Sequence, residues 1–235
     1  KSDTPKKPQR STAGGPPPSS GAGGRGKDPD WANGLRQLYD SVVEEPLPDS
    51  FQNLLDQLDA ILMAAGERTA SDAADFKREL TEVVPHLRAF ARGLCGRADM
   101  ADDLVQETLL KAWAAQERFQ PGTSMRAWTF VILRNAYLTD MRRNRFRGEY
   151  DETVAERVLT APAGQEEPIH LSDMHRALLT LPPERREALL LVGAGGFSYE
   201  EAATICDCAV GTIKSRVGRA RAHQVASDCV IVLSR

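Results

Sequence analysis

Lys214, Arg216, Arg219 and Arg221 follow one another along the chain with no acidic residue between them, a pattern suited to binding a polyanion. They close the stretch Phe197 to Arg221, which opens with Ser198 and carries Glu201 three residues later. A hydroxyl and a carboxylate at that spacing form a capping box, each satisfying an amide at a helix start. Tyr199, Ala202, Ala203 and Cys206 then keep one-face helical spacing, and Val210, Ile213, Val217 and Ala220 repeat it after a turn. Two short amphipathic helices with a basic outer face make a helix-turn-helix, the geometry that enters the DNA major groove, where base edges can be told apart. A second basic set, Arg126, Arg134, Arg142, Arg143 and Arg145, lies along one long helical pattern. Cations at a helix end have a dipole explanation, but Arg126 and Arg134 lie earlier and favour a backbone-binding stripe.

Other chemistry has little support. His86, His170, His175 and His223 show no metal spacing, and Cys95, Cys206, Cys208 and Cys229 lack the paired spacings of a zinc site. The acids form no paired pocket signature, and there is no glycine-rich phosphate loop. The expectation is therefore no catalytic residue, no metal, no cofactor and no enzyme.

The elements that must hold these cations are small and helical. Charged residues make up 27% of the 235 residues and aromatics 6%, which favours helical modules over one large core. The net charge of -3 does not announce a nucleic-acid binder, so the local basic faces carry the argument. No apolar run approaches the roughly 18 to 20 residues that span a bilayer, and the cysteine usage fits a cytoplasmic protein. Residues 1–30 are rich in Pro, Gly, Ser and Lys and read as a disordered tail. Trp31, Leu35, Leu38, Tyr39 and Val42 then form an amphipathic helix that Pro46 and Pro48 end. Phe51, Leu54, Leu55, Leu58, Ile61 and Leu62 line a second helix, capped at Asp49. Two helices in residues 31–62 cannot build a stable core alone, so their apolar faces need a partner surface. Residues 63–75 read as a linker, 76–147 as a helical domain, 148–170 as a flexible acidic connection and 171–226 as a second helical domain. Residues 227–235 form a short apolar tail.

Two helical domains on a flexible linker, each with a basic helix, resemble the extracytoplasmic-function (ECF) sigma factors of bacterial RNA polymerase. The phrases Ala101 to Trp113, Met125 to Asn135 and Ala209 to Arg216 are similar to the alphaproteobacterial general-stress type, EcfG. Leu35 to Leu62 resembles NepR, the small anti-sigma factor that restrains it. The resemblance implies an all-α fold, with the anti-sigma helix pair packed on two sigma domains, the second a helix-turn-helix. It implies that Asp102, Asp103, Leu104, Gln106 and Glu107 face core RNA polymerase. Arg126, Arg134, Asn135, Arg142 and Arg143 would meet promoter DNA near the start site, and Thr212, Lys214, Ser215, Arg216 and Arg219 the upstream element. Trp31, Leu35, Leu38, Tyr39, Phe51, Leu54, Leu55 and Leu58 would be anti-sigma anchors, with the NepR-like segment acting in cis or in trans. A phosphorylated response regulator with a sigma-like domain would compete for those helices. The alternatives are a sigma-like decoy that sequesters an anti-sigma factor without binding DNA, and an ordinary helix-turn-helix repressor. Asp207 stands where relatives usually carry Gly, and Asp tolerates the left-handed turn conformation better than most residues.

Overall fold

The computed structural model describes residues 30–65, 70–146 and 169–233, and all their regular elements are helical. The order is α1 (Asp30–Val43), α2 (Asp49–Ala65), α3 (Ala70–Cys95), α4 (Ala98–Ala114), α5 (Met125–Phe146), α6 (Ile169–Thr180), α7 (Pro183–Leu189), α8 (Tyr199–Ile205) and α9 (Val210–Leu233). Pro46 and Pro48 separate α1 from α2, because neither can donate to a continuing helix. Pro183 opens α7, where its missing N–H costs nothing.

Helices α3, α4 and α5 pack as one bundle. Phe76 meets Trp113, Phe119 and Trp128 edge-on at 5.8, 5.8 and 6.2 Å, and Phe90 lies 4.9 Å from Phe130. Helices α6 to α9 form the second unit, in which α9 packs on α7 and α8. Helix α7 widens into a π-turn, Leu190–Ala194, closed by Gly195 N–H donating to Leu190 O at 2.7 Å. A Cβ on Gly195 would lie 2.9 Å from Leu191 O, and Gly196 sits at φ 69, so both positions need glycine.

The two units and the front helices share one apolar core. Helix α1 packs against α3 of the first unit and against α6 and the π-turn of the second. Helix α2 lies on α3 and α4, and α5 packs on α8. Approaches are close: a Cβ on Gly34 of α1 would stand 2.9 Å from Met174 Cε, and one on Gly93 of α3 would stand 2.8 Å from Leu190.

Three boundaries differ from the expected ones. The linker expected at 63–75 is mostly helix, because α2 runs to Ala65 and α3 starts at Ala70. Its alanine-rich composition reads as low complexity, yet alanine is the strongest helix former. The tail expected from residue 227 instead continues α9 to Leu233. The connection expected at 148–170 ends in the first turn of α6. The tail of residues 1–29, and residues 66–69 and 147–168, lie outside the described residues. No helix among the described residues is long and apolar enough to cross a membrane.

Candidate functional site

The helix-turn-helix is built from local signals. Ser198 Oγ accepts from the Glu201 N–H at 3.1 Å, and Glu201 Oε2 accepts from the Ser198 N–H at 2.8 Å. Ser198→Ala removes one half of this box and is expected to cost about 1 kcal/mol; thermal unfolding and hydrogen exchange in α8 measure it. Ala202, Ala203, Ile205 and Cys206 are buried, as are Ile213, Val217 and Ala220 of α9. The turn passes through Asp207 at φ 49, and Cys208 N–H donates to Ala203 O at 3.0 Å. On the outer face of α9, Thr212, Lys214, Ser215 and Arg219 are exposed. Lys214 Nζ stands 5.8 Å from the Tyr199 ring centre. Arg216 is only half exposed, and its buried Nη1 has no hydrogen-bond partner among the described residues.

Along α5 the basic residues divide. Asn135, Arg142 and Arg143 are exposed, with Arg143 3.9 Å from Asp140. Arg126 and Arg134 instead turn into the joint between the two units. The Arg126 guanidinium lies 4.9 Å from the Phe197 ring centre and donates from Nη2 to Tyr39 Oη at 3.4 Å. Arg134 Nε donates to Glu187 Oε1 at 2.6 Å, with the two side chains 14% and 6% exposed. Phe130 seats edge-on against Phe197 at 4.9 Å beside them. In this arrangement Arg126 and Arg134 do not present a DNA-facing surface. A buried carboxylate outcompetes water for a guanidinium when both are already out of solvent.

Burial pushes the Glu187 carboxyl above its usual range, and the Arg134 guanidinium pulls it back. The Cys206 thiol feels the same carboxylate. Burial, and then the Glu187 charge, push that thiol up to about 12, so Cys206 is inert filler beside the turn.

The front helices are fastened by a second buried charge. Arg88, with its side chain 3% exposed, donates from Nε to Asp102 Oδ1 at 3.0 Å and lies 3.6 Å from Glu45. Its guanidinium also sits 5.7 Å from the Phe51 ring centre. Arg92 Nη1 donates to Glu45 Oε1 at 2.7 Å, and Lys77 Nζ to Asp56 at 3.0 Å. Leu35, Tyr39, Phe51, Leu55 and Leu58 are buried in the common core, and Leu38 and Leu54 pack against it half-buried. Tyr39 Oη donates to His86 O at 3.1 Å. Trp31 lies in the first turn of α1, its side chain outside the described residues.

On α4, Asp103 is exposed, Gln106 half-buried, and Glu107 pairs with Lys111 at 2.6 Å. Asp102 is half-buried and held by Arg88. Leu104, expected to face polymerase, is 4% exposed and belongs to the core. Helix α2 lies along α3 and α4, and a leucine gains by leaving water there.

Sequence reasoning missed Arg88, Glu45, Arg92, Arg186 and Glu187. Two of them carried a signal: Arg88 interrupts the apolar run Leu87, Ala89, Phe90, Ala91, and Glu187 precedes Ala188, Leu189, Leu190 and Leu191. A charge inside an apolar run needs a partner, and the sequence does not say which.

A helical bundle with an acidic helix and a basic helix, tied to a helix-turn-helix unit, defines a sigma-70-type transcription factor. The chain matches Sigma-70 region 2 over residues 80–147, Sigma-70 region 4 over residues 171–223, and the anti-sigma factor NepR over residues 28–61. It is 52% identical over 143 residues to the ECF RNA polymerase sigma factor EcfG of Rhodopseudomonas palustris (strain TIE-1), covering 61% of this chain and 79% of that protein. It is 40% identical over 126 residues to the ECF RNA polymerase sigma factor SigC of Mycobacterium tuberculosis (strain CDC 1551 / Oshkosh), covering 52% of this chain and 66% of that protein. Among solved structures it resembles the sigma factor RpoE in complex with the anti-sigma factor NepR from Bartonella quintana. That similarity has 46% identity and a TM-score of 0.57, and covers 66% of this chain and 98% of that one. The chain belongs to the ECF RNA polymerase sigma factors of EcfG type, with a NepR segment ahead of the sigma regions in the same polypeptide.

Proposed function

We propose that this chain directs core RNA polymerase to general-stress promoters and that its own front helix pair holds it inactive. The observation that carries the reading is the seat of α1, packed against α3 of region 2 and against α6 and the π-turn of region 4. A helix so placed holds the two regions against each other, and promoter reading needs them apart. Helix α2 lies over α3 and α4, and α4 carries Asp102, Asp103, Gln106 and Glu107, the residues we assign to polymerase contact. Thr212, Lys214, Ser215, Arg216 and Arg219 would read the upstream element, and Arg126, Arg134, Asn135, Arg142 and Arg143 the start-proximal one. The exposed basic face of α9 favours a DNA-binding factor over a decoy.

The connection between α2 and α3, residues 66–69, spans five Cα steps from Ala65 to Ala70 and reaches at most roughly 18 Å. A tether this short gives an effective concentration of millimolar order or above. Release then requires a competitor that binds α1 and α2 more tightly. A phosphorylated response regulator with a sigma-like domain has that chemistry. Such a protein works in the cytoplasm as a transcription regulator and not as an enzyme.

The test is in vitro transcription with core polymerase. Deleting residues 1–65 is expected to raise promoter-dependent transcription by an order of magnitude or more. Equal activity with and without them would refute self-inhibition.

A further inference from the structure

Contacts from both front helices and from their joint converge on one stretch of α3, His86 to Arg92. Tyr39 Oη of α1 donates to His86 O at 3.1 Å, and the Phe51 ring of α2 lies under the Arg88 guanidinium. Between the two helices stands Glu45, just past the end of α1 and ahead of Pro46. Both of its carboxylate oxygens are engaged. Arg92 Nη1 donates to Oε1 at 2.7 Å, and Arg88 Nη2 lies 3.6 Å from Oε2. Arg88 and Arg92 are four residues apart, so they leave one face of α3 a turn apart.

The two arginines make a place for an anion. Arg88 is buried, and its Nε and Nη2 hold Asp102 at 3.0 and 3.5 Å. Arg88 thus has a carboxylate from region 2, whereas Arg92 draws its carboxylate from the front segment. Arg88 Nη1 and Arg92 Nε are buried with no acceptor among the described residues. Guanidiniums taken out of water need counter-charge, and Glu45 supplies it.

Elsewhere the seat of the front helices discriminates less. Toward region 4, α1 offers Leu35, Leu38 and Val42, which line a small cavity with Leu190 of the π-turn. Apolar burial is non-directional, so such a stripe accepts any apolar face of similar shape. The ion pair of Asp56 with Lys77, at 3.0 Å, uses an exposed carboxylate and contributes little.

We propose that Arg88 and Arg92 form a carboxylate-binding site on region 2, and that Glu45, by entering it, determines which surface the front helices accept. The surface that fits is a helix bearing two guanidiniums one turn apart. A helix bearing an acid at either position repels the pair. The consequence for transcription rests on the self-inhibited reading above; the docking does not.

Hydrogen exchange of the α1 and α2 amides in the full chain reads the docking equilibrium. Glu45→Arg sets a third cation against Arg88 and Arg92, and protection of α1 and α2 is expected to fall about tenfold or more. Arg92→Glu is expected to do the same by facing Glu45 with an acid. Combining the two re-forms an opposite pair in the reversed sense, and protection is expected to return to within about threefold of the parent. Arg88 is left unchanged throughout, because reversing it would strand Asp102. Asp56→Lys reverses the exposed pair and is expected to alter protection by less than about threefold. Amides of α4 and α8 are expected to keep parent protection in every variant.

Parent-like protection in Glu45→Arg overturns the site. So does a combined variant as unprotected as the single ones, an Asp56→Lys chain that undocks as far as Glu45→Arg, or a loss that spreads to α4 and α8. Transcription with core polymerase is then read on Glu45→Arg, which alters the front segment alone. Undocked helices with raised transcription support both the site and self-inhibition. Undocked helices with unchanged transcription overturn self-inhibition and leave the carboxylate site standing.

Discussion

Phe51→Ala in the full chain is expected to raise transcription from core polymerase at least tenfold. The ring is fully buried beneath the Arg88 guanidinium, 5.7 Å from its centre, on the helix that lies over α3 and α4. Removing a buried Phe side chain costs about 3 to 5 kcal/mol, and every 1.4 kcal/mol is tenfold in an equilibrium. The closed-to-open balance therefore shifts by a hundredfold or more, part of which α1 retains by staying seated. The direction carries the meaning. Phe51 belongs to the front helices, so its loss takes nothing from the sigma regions themselves, which keep the Arg88–Asp102 pair. A core mutation that increases activity is hard to explain unless the core in question is inhibitory. Unchanged or reduced transcription, with the protein still folded by circular dichroism, would count against the arrangement.

Arg186→Met is expected to lower the thermal midpoint by about 6 to 12 °C. Arg186 Nη1 donates to Leu94 O at 2.6 Å, and Nη2 donates to Leu179 O at 2.9 Å and Leu181 O at 3.0 Å. One side chain thus satisfies the end of α6 and, across the joint, a carbonyl near the end of α3. Hydrogen bonds from a charged donor contribute about 1.5 to 3 kcal/mol each, and they do not add fully. A net loss of about 3 kcal/mol corresponds to the stated shift for a chain of this size. Arg186→Lys is expected to recover only part of it, because a single ammonium lacks the planar fork that reaches three carbonyls. A midpoint within about 2 °C of the parent, read by circular dichroism, would show that water replaces the guanidinium.

The helix-turn-helix was legible because its signals are local. Ser198 and Glu201 lie three residues apart, the stripes of α8 and α9 repeat within a few turns, and Asp207 carries the positive φ of the turn. The front helix pair was legible for a different reason. Its apolar stripes could not be buried by 32 residues alone, so a partner surface had to exist. The boundaries failed where composition misled, as in the alanine-rich stretch that α2 and α3 absorb. The state of the basic residues was not legible at all. Arg126, Arg134, Arg142 and Arg143 read as one stripe along α5, yet the first two turn toward Phe197, Tyr39 and Glu187 while the others face solvent.

By itself the sequence determined the helices, the paired regions and the need of α1 and α2 for a surface, because periodicity, capping and prolines act within a few residues of one another. Only the tertiary structure decided which charges meet. Arg134 and Glu187 lie 53 positions apart, and Arg88 reaches Glu45 and Asp102 from opposite directions along the chain. Such pairings follow from how packed faces bring side chains out of water together, and local spacing carries no record of that.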